Sequence, residues 1–232
     1  VYYSKSLYPN FNLGPNPFIK NSDTRIYSND MVKYPSYLSQ LVSFLKRLPG
    51  IGFKTAEKLA FELLSWDEEQ LKALGNVFYE TATARSFCSQ CFCLKESSLT
   101  QCDFCSSTRD TSTLCIVASQ KDVFFLERSK VFKGRYYTLG SLLSPMTGQH
   151  IPPQRVATLK HYIQVLSPKE IILALDATLE GDATALFLKQ ELEGASFSGS
   201  ISRLALGLPV GLSFDYVDVS TLSRAFSGRS LY

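Results

Sequence analysis

Four cysteines arranged as two close pairs are the residues of this sequence best suited to chemistry. Ten residues separate the pairs, and each pair encloses two residues: Cys88, Cys91, Cys102 and Cys105. Thiolates at this spacing can surround one ion tetrahedrally, and zinc suits such a soft ligand set. Because all four positions are protein ligands, no water is left to activate. We therefore predict one structural zinc ion per chain.

Two further cysteines leave the choice of ligands partly open. Cys93 follows the first pair closely and could replace Cys91 as a ligand, whereas Cys115 lies in an apolar run and is expected in the core. The sequence has no apolar run of 18 or more residues and no visible secretory signal. We therefore expect a soluble, intracellular protein, in which disulfides are less favoured than a metal site.

The stretch "LPGIGFKTAEKLA", residues 48–60, looks like a helix-hairpin-helix motif. Gly50 and Gly52 would let the hairpin backbone approach a phosphate, and the first N–H groups of the next helix would form an anion site. Lys54 and Lys58 lie one turn apart on that helix and would add charge on one face. The pattern predicts DNA binding through phosphates. The alternative is a plain helical hairpin with a glycine turn.

The third candidate is the acidic stretch "ALDATLEGDATALFL", residues 174–188. Asp176, Glu180 and Asp182 follow an apolar strand pattern, at the edge where open α/β sheets place ligands, and their oxygens suit a hard cation such as magnesium. Two simpler interpretations remain. Asp182 could cap a helix beginning at Ala183, and Glu180 could complement the dipole of that helix.

Other signs of catalysis are missing from the sequence. It contains neither the GxxxxGK[ST] pattern of a nucleotide-binding P-loop nor the GxSxG pattern of a nucleophile elbow. Its two histidines, His150 and His161, lie in a loop pattern and in an amphipathic helix pattern. A catalytic site centred on histidine is therefore poorly supported.

Apolar spacing predicts the elements that must position these residues. Helical stripes run through Leu38 to Leu48 and through Ala56 to Leu63, and a third helix is predicted from Asp67, with Gln70 completing a capping box. Strand patterns then alternate with helical ones. The predicted strands are 114–118, 135–139, 171–175 and 200–206, and the predicted helices are 122–127, 154–166 and 183–192. Such alternation predicts an α/β fold with a mainly parallel sheet.

The same patterns divide the chain into five parts. We expect an irregular N-terminal arm, a helical region with the hairpin motif, a zinc motif, an α/β domain and a C-terminal segment, at 1–30, 31–86, 87–110, 111–197 and 198–232. The arm is rich in Pro, Asn, Ser and Tyr, and one hypothesis is that the natural start is Met31. Charge is also uneven, with a net of +4 over 31–60 and −5 over 170–195.

The order of these parts resembles the bacterial recombination mediators of the RecR family. The resemblance covers residues 31–232 and rests on "LPGIGFKTAEKLAF", the four cysteines, "TRDTSTLCIVAS", "LSPMTG", "ILALDATLEGDATA" and "SRLALGLPVG" followed by "VDVSTLSRAFSGR". It implies that the α/β part is a Toprim domain. It also implies a protein without enzymatic activity, in the cytoplasm and associated with the nucleoid, that forms ring-shaped oligomers, commonly tetramers able to encircle DNA.

The resemblance also assigns partners and sites. Family members act with the RecO and RecF proteins to load recombinase onto single-stranded gaps coated with single-strand-binding protein. Lys54 and Lys58 match positions that contact DNA, and Glu180 and Asp182 match an acidic loop implicated in partner contact. Two positions depart from the pattern. Ala118 stands where Toprim enzymes carry a glutamate, and Leu212 stands where the family usually has glycine.

Two rival functions stay open at this stage. The first is an active Toprim nuclease or nucleotidyl-transfer enzyme that uses magnesium at Asp176, Glu180 and Asp182, against which Ala118 argues. The second is a zinc-containing interaction module that binds no DNA, which would leave Lys54 and Lys58 without a role.

Overall fold

The computed structural model describes residues 34–195, 197–205, 207–208 and 211–229. The predicted arm and the hypothesis of a start at Met31 lie outside the described residues. The chain divides into two compact units, one ending at Gly75 and the other beginning at Asn76. Within the described ranges, we find no helix with the length and apolar character needed to cross a membrane.

The first unit is built around a helical hairpin. Helix α1 covers Ser36–Leu45 and helix α2 covers Phe53–Leu64. Their predicted apolar stripes meet in a small core formed by Leu38, Val42, Ala56 and Ala60, all of them buried. Leu48 was predicted in the first stripe but is 53% exposed, because it follows the end of α1 and lies in the turn.

Helix α3 covers Glu68–Ala84 and begins where the capping pattern predicts. The Gln70 backbone N–H donates to Asp67 Oδ1 at 2.8 Å, and the Asp67 N–H donates to Gln70 Oε1 at 3.1 Å. These reciprocal bonds satisfy two backbone donors at the helix start. The helix runs across the division between the units and has no buried residue.

The second unit holds a short hairpin and a parallel sheet. Strands β1 (Ser86–Phe87) and β2 (Leu94–Lys95) pair antiparallel. The sheet has the order β4-β3-β5-β6, and every neighbouring pair is parallel. Its strands are β3 (Asp110–Val117), β4 (Gly134–Thr138), β5 (Glu170–Ala174) and β6 (Ser200–Arg203). The α/β fold class is therefore confirmed, with a four-stranded parallel sheet.

Helices connect these strands and follow the last one. They are α4 (Gln120–Ser129), α5 (Pro153–Leu166), α6 (Leu179–Glu193) and α7 (Val219–Ser227). The core beside the sheet includes Leu114, Ile116, Ile171 and Leu188, each fully or almost fully buried. Strand β6 extends the sheet past residue 197, so the expected start of a C-terminal segment at residue 198 precedes the last strand.

The sheet register places two features of the sequence side by side. Val117 at the end of β3 pairs with Ala174 at the end of β5, so Ala118 and Leu175 leave the sheet as neighbours. Helix α6 then begins at Leu179, with Thr178 as its N-cap. The interpretation of Asp182 as the cap of a helix starting at Ala183 is therefore wrong, because the helix begins four residues earlier and Asp182 already lies in its first turn.

Candidate functional site

The four predicted metal ligands lie together in the second unit. Their sulfur atoms all lie within 4.8 Å of one another, and all four residues are buried. The Sγ atoms of Cys91 and Cys102 are 3.4 Å apart, and those of Cys88 and Cys105 are 4.0 Å apart. A tetrahedral ion with bonds of about 2.3 Å to sulfur requires sulfur separations of about 3.8 Å. The residues present therefore fit a metal ion.

Local backbone geometry holds the first ligand pair in place. Phe92 adopts a positive φ of 57°, and the Cys88 N–H donates to the Cys93 carbonyl at 2.9 Å, which closes a tight turn between the ligands. The Gln120 side chain then spans this turn. Its amide donates to the Phe92 carbonyl at 2.6 Å and accepts from the Leu94 N–H at 2.8 Å. Helix α4 thus braces the cysteine turn.

The second ligand pair is held by the α/β core. Cys102 and Cys105 flank a short 3₁₀ turn, in which the Cys105 N–H donates to the Cys102 carbonyl at 3.0 Å. The Cys105 carbonyl accepts hydrogen bonds from Arg135 and, at 2.6 Å, from Gln101. The Tyr162 hydroxyl lies 3.4 Å from Cys105 Sγ. Side chains around the ligands of this kind fix the orientation of a metal site.

The crowded thiols influence one another's ionisation. Hydrogen bonds to Cys102 and then to Cys105 lower the pKa of Cys88, whereas hydrogen bonding to Cys102 raises the pKa of Cys91. Neighbouring thiolates repel one another in a buried setting, so full ionisation of the set requires a cation. This arrangement is that of a metal ligand set.

The two remaining cysteines lie outside the ligand set. Cys93 is buried with its sulfur 3.5 Å from the Thr138 hydroxyl, so the structure favours Cys91 as the ligand of the first pair. Cys115 is buried in β3, as predicted, and burial raises the pKa of its thiol to about 12. Both residues therefore act as small core side chains.

The hairpin of the first unit has the features predicted for a phosphate site. Gly50 adopts a positive φ of 79°, and the Ile51 N–H donates to the Leu48 carbonyl at 3.1 Å, which closes the turn. A Cβ at Gly50 or Gly52 would meet no atom within 4 Å, so the approach to these backbones is open. Among the described residues, no side chain caps the start of α2, which follows Gly52 directly.

Two exposed lysines stand on the first turns of that helix. Lys54 and Lys58 are both exposed, and in the described part of the chain neither forms an ion pair. The intervening Glu57 is engaged by the Tyr34 hydroxyl, a contact that raises the pKa of Tyr34. Uncapped N–H groups and nearby cations together favour binding of an anion.

The carboxylates that follow β5 are not arranged as the magnesium hypothesis predicts. Asp182 Oδ1 lies 2.6 Å from Arg203 Nη1, and Oδ2 lies 2.9 Å from Arg224 Nη2. Hydrogen bonds from Arg203 and then Arg224 hold the pKa of Asp182 below its ordinary value. Asp176 is exposed and Glu180 is half-buried. Across the described ranges, these carboxylates form no cluster that could share an ion.

Sequence reasoning missed three residues at this edge. Gly181 packs so closely on the preceding loop that a Cβ there would overlap the Asp176 carbonyl oxygen. Arg203 and Arg224 bring β6 and α7 to the same carboxylate. Only the glycine between two acids gave a signal in the sequence, because pairing of the distant arginines depends on the tertiary fold.

We expect the Asp182→Asn variant to loosen α7. The neutral asparagine side chain cannot form the two partly exposed ion pairs of Asp182, which together contribute about 1 kcal/mol. Hydrogen exchange of the backbone N–H groups of α7 should therefore accelerate about fivefold. The lowered pKa means that this stabilisation is fully present above pH 4 or so and is lost as the pH falls through the folded-state pKa. Hydrogen exchange measured by mass spectrometry reports both effects.

Glu191→Gln is the matched control for that experiment. It breaks the ion pair between Lys160 and Glu191, which measures 2.6 Å and joins α5 to α6. Exchange in α7 should stay at the wild-type rate. Equal α7 exchange in both variants would show that Asp182 does not hold the C-terminal helix.

Comparison with known protein families assigns three parts of the chain. The family model described as "RecR, helix-hairpin-helix" matches residues 38–80, and the Toprim domain model matches residues 112–205. A third model, described as "RecR, C-terminal", matches residues 207–230. The first match contains the glycine hairpin with both lysines, and the second contains the acidic edge.

Curated relatives match over most of the chain. Proteins named "Recombination protein RecR" from Chlamydia felis and Chlamydia pneumoniae are 69% and 70% identical to it over 202 residues. The protein of the same name from Chlamydia trachomatis serovar D is 61% identical over the same length. Each match covers 87% of this chain and 100% of the relative.

Proposed function

Because the chain belongs to the RecR family, we propose that it is a DNA-binding recombination and repair factor without catalytic activity of its own. The observation that carries this proposal is the hairpin of the first unit. There, within the part of the chain that the structure describes, the start of α2 has no side-chain cap and the exposed Lys54 and Lys58 beside it form no ion pair. Its relatives bear the name of a recombination protein, and their sequences match it over their full length.

The proposed DNA contact is made with phosphates. Backbone N–H groups that follow Gly52 would donate to one phosphate, and Lys54 and Lys58 would neutralise neighbouring phosphates along the strand. Such contacts carry no base information, so binding should be independent of sequence and sensitive to salt. This mode suits a factor that acts wherever damaged or gapped DNA occurs.

We propose that the four-cysteine site holds zinc and that the ion is structural. The soft sulfur ligands and the near-tetrahedral spacing support zinc, and four protein ligands leave no position for a reacting water. Bound zinc would cross-link the two cysteine pairs through four metal–sulfur bonds, in addition to the packing of Phe104 in the core. Gln120, Tyr162 and Arg135 orient the ligands and their backbone, so this chain's own residues prepare the site.

The lack of catalysis is argued from the acidic edge. Ala118 directly follows β3, at the position where Toprim enzymes carry a glutamate, so a general acid or base is missing there. The Asp182 carboxylate is neutralised by two guanidinium groups, and among the described residues it forms no ligand cluster with Asp176 and Glu180. Cleavage of DNA that required magnesium and was lost in the Glu180→Ala variant would overturn this part of the proposal.

Partners and assembly follow as further proposals from family membership. We propose action with RecO and RecF to load recombinase at single-stranded gaps, assembly into a ring-shaped tetramer around DNA, and residence at the nucleoid in the cytoplasm. Glu180 and Asp182 stay the proposed partner contact. Because Asp182 is held by arginines within the chain, Glu180 would be the more available of the two. The five-part domain division also remains a proposal.

The experiment that tests the DNA contact is a paired substitution. We expect Lys54→Ala with Lys58→Ala to lose two phosphate contacts and to weaken duplex binding about 60-fold at 0.1 M monovalent salt. The loss should be equal on oligonucleotides of different sequence, since phosphates are read and bases are not. Fluorescence anisotropy with labelled duplexes measures it.

Lys72→Ala with Lys189→Ala is the charge-matched control. Both lysines are exposed and belong to helical ion pairs elsewhere, with Glu68 and Glu193. This variant removes the same net charge and should bind within about twofold of the wild type. Equal losses of DNA affinity in the two double variants would indicate a general charge effect and would contradict the proposed hairpin contact.

A further inference from the structure

Helix α4 presents an outward face on which two aromatic side chains lie between two basic ones. We define the α4 face as Lys121, Phe124, Phe125 and Arg128. Their spacings of three, four and seven place them on one side of the helix, opposite the fully buried Val123. Phe124 is 45% exposed and Phe125 is 64% exposed, so both rings offer apolar area to solvent.

The acidic residues of α4 are committed within the chain. Asp122 accepts hydrogen bonds from the Ser119 N–H and hydroxyl at 2.8 and 2.9 Å. Glu127 forms a bidentate ion pair with Arg109, in which the guanidinium donates hydrogen bonds of 2.6 and 3.2 Å to the carboxylate. The cations differ. In the described residues Lys121 and Arg128 have no ion-pair partner, and neither do Lys130 and Lys133, which are exposed just after the helix.

The inward contact of one ring fixes the face in position. Phe124 meets Phe104 edge to face at 5.8 Å, and Phe104 is buried between the two cysteines of the second ligand pair. Gln120, at the start of the helix, braces the first ligand pair. The α4 face is thus built on a rigid support, which reduces the ordering entropy lost when a ligand binds.

We propose that the α4 face is a second nucleic-acid contact, which takes single-stranded DNA by stacking bases on Phe125 and Phe124 while the surrounding cations neutralise phosphates. This inference extends the proposed DNA-binding function to a site outside the hairpin. Stacking requires an exposed base, so the occupant is a single strand and not a duplex, whose bases are already stacked. The exposed aromatic rings match the bases of such a ligand, and the exposed cations around them match its phosphates.

The test compares substitutions of the rings and of the cations in the full chain. Phe125→Ala should weaken binding of a labelled oligothymidylate about tenfold without changing the dependence on salt, because a stacking contact releases no counterions. Phe125→Trp should keep the affinity. Lys121→Ala with Arg128→Ala should reduce the log–log salt slope by about 1.4, as expected for two phosphate contacts on a single strand.

Two comparisons separate this inference from the hairpin proposal. Lys169→Ala with Lys189→Ala removes two exposed charges elsewhere on the same unit and should leave the slope unchanged. Lys54→Ala with Lys58→Ala alters the hairpin alone. If only the hairpin variant changes binding, the α4 inference is overturned and the hairpin stands. If only the α4 variants change binding, the α4 inference stands and the proposed hairpin contact is overturned. If the α4 variants lose binding of polyglutamate but keep binding of oligothymidylate, the α4 face binds an acidic protein partner and the inference is overturned.

Discussion

Replacing Cys91 with alanine should abolish stoichiometric metal binding and lower the free energy of unfolding of the second unit by about 5 kcal/mol. Structural zinc contributes about 10–16 kcal/mol to the folding of small zinc domains, and removing one of four ligands forfeits a large part of it. The remaining sulfurs, which lie within 4.8 Å of one another, would then repel or oxidise. Metal content per chain and urea denaturation measure the two effects.

Cys93→Ala provides a control of the same residue type two positions away. Cys93 is equally buried, but its sulfur lies against the Thr138 hydroxyl at 3.5 Å and outside the ligand set. This variant should keep one metal ion per chain and lose only about 1 kcal/mol, as expected for the removal of a small buried side chain. Metal retained by Cys91→Ala and released by Cys93→Ala would reverse the assignment of the ligands.

Gly181→Ala should destabilise the second unit by about 3 kcal/mol. The added Cβ would overlap the backbone carbonyl oxygen of Asp176, and a backbone atom cannot move aside as a flexible side chain can. The strain falls at the start of α6, where Thr178 caps the helix and Asp182 holds its two arginines. Chemical denaturation gives the change in stability, and hydrogen exchange should place the loosening in α6 and α7.

Gly75→Ala is the matched comparison, with the opposite sign. Gly75 also lies within a helix, α3, but a Cβ there would meet no atom within 4 Å. Alanine should therefore stabilise the chain by about 0.5–1 kcal/mol, because glycine loses more backbone entropy in a helix. Wild-type stability in Gly181→Ala would contradict the close approach between Gly181 and the Asp176 carbonyl.

Much of the fold could be predicted from local sequence signals. Apolar spacing located the helices of the hairpin, the Asp67 and Gln70 pattern located the start of α3, and the alternation of strands and helices predicted the parallel sheet. The cysteine spacing predicted the cluster of four sulfur atoms, because four cysteines within 18 residues can be brought together by a short closed loop. In each case the residues that decide the structure lie close together along the chain.

Long-range pairing explains what the sequence did not reveal. The acidic stretch looked like a cation site because Asp176, Glu180 and Asp182 lie within seven positions of one another. The structure instead joins Asp182 to Arg203 and Arg224, which are 21 and 42 residues away. Helix α4 was predicted too short, and its outward aromatic face emerged only once Val123 was known to face the core.

The salt dependence of DNA affinity tests the central claim most directly. Binding of the full chain to a duplex should fall linearly on a log–log plot against salt concentration, and Lys54→Ala with Lys58→Ala should make the slope shallower by about 1.8. A change of that size would correspond to the loss of two phosphate contacts at the hairpin. A slope that is identical in the wild type and the double variant would contradict the claim that this surface binds DNA.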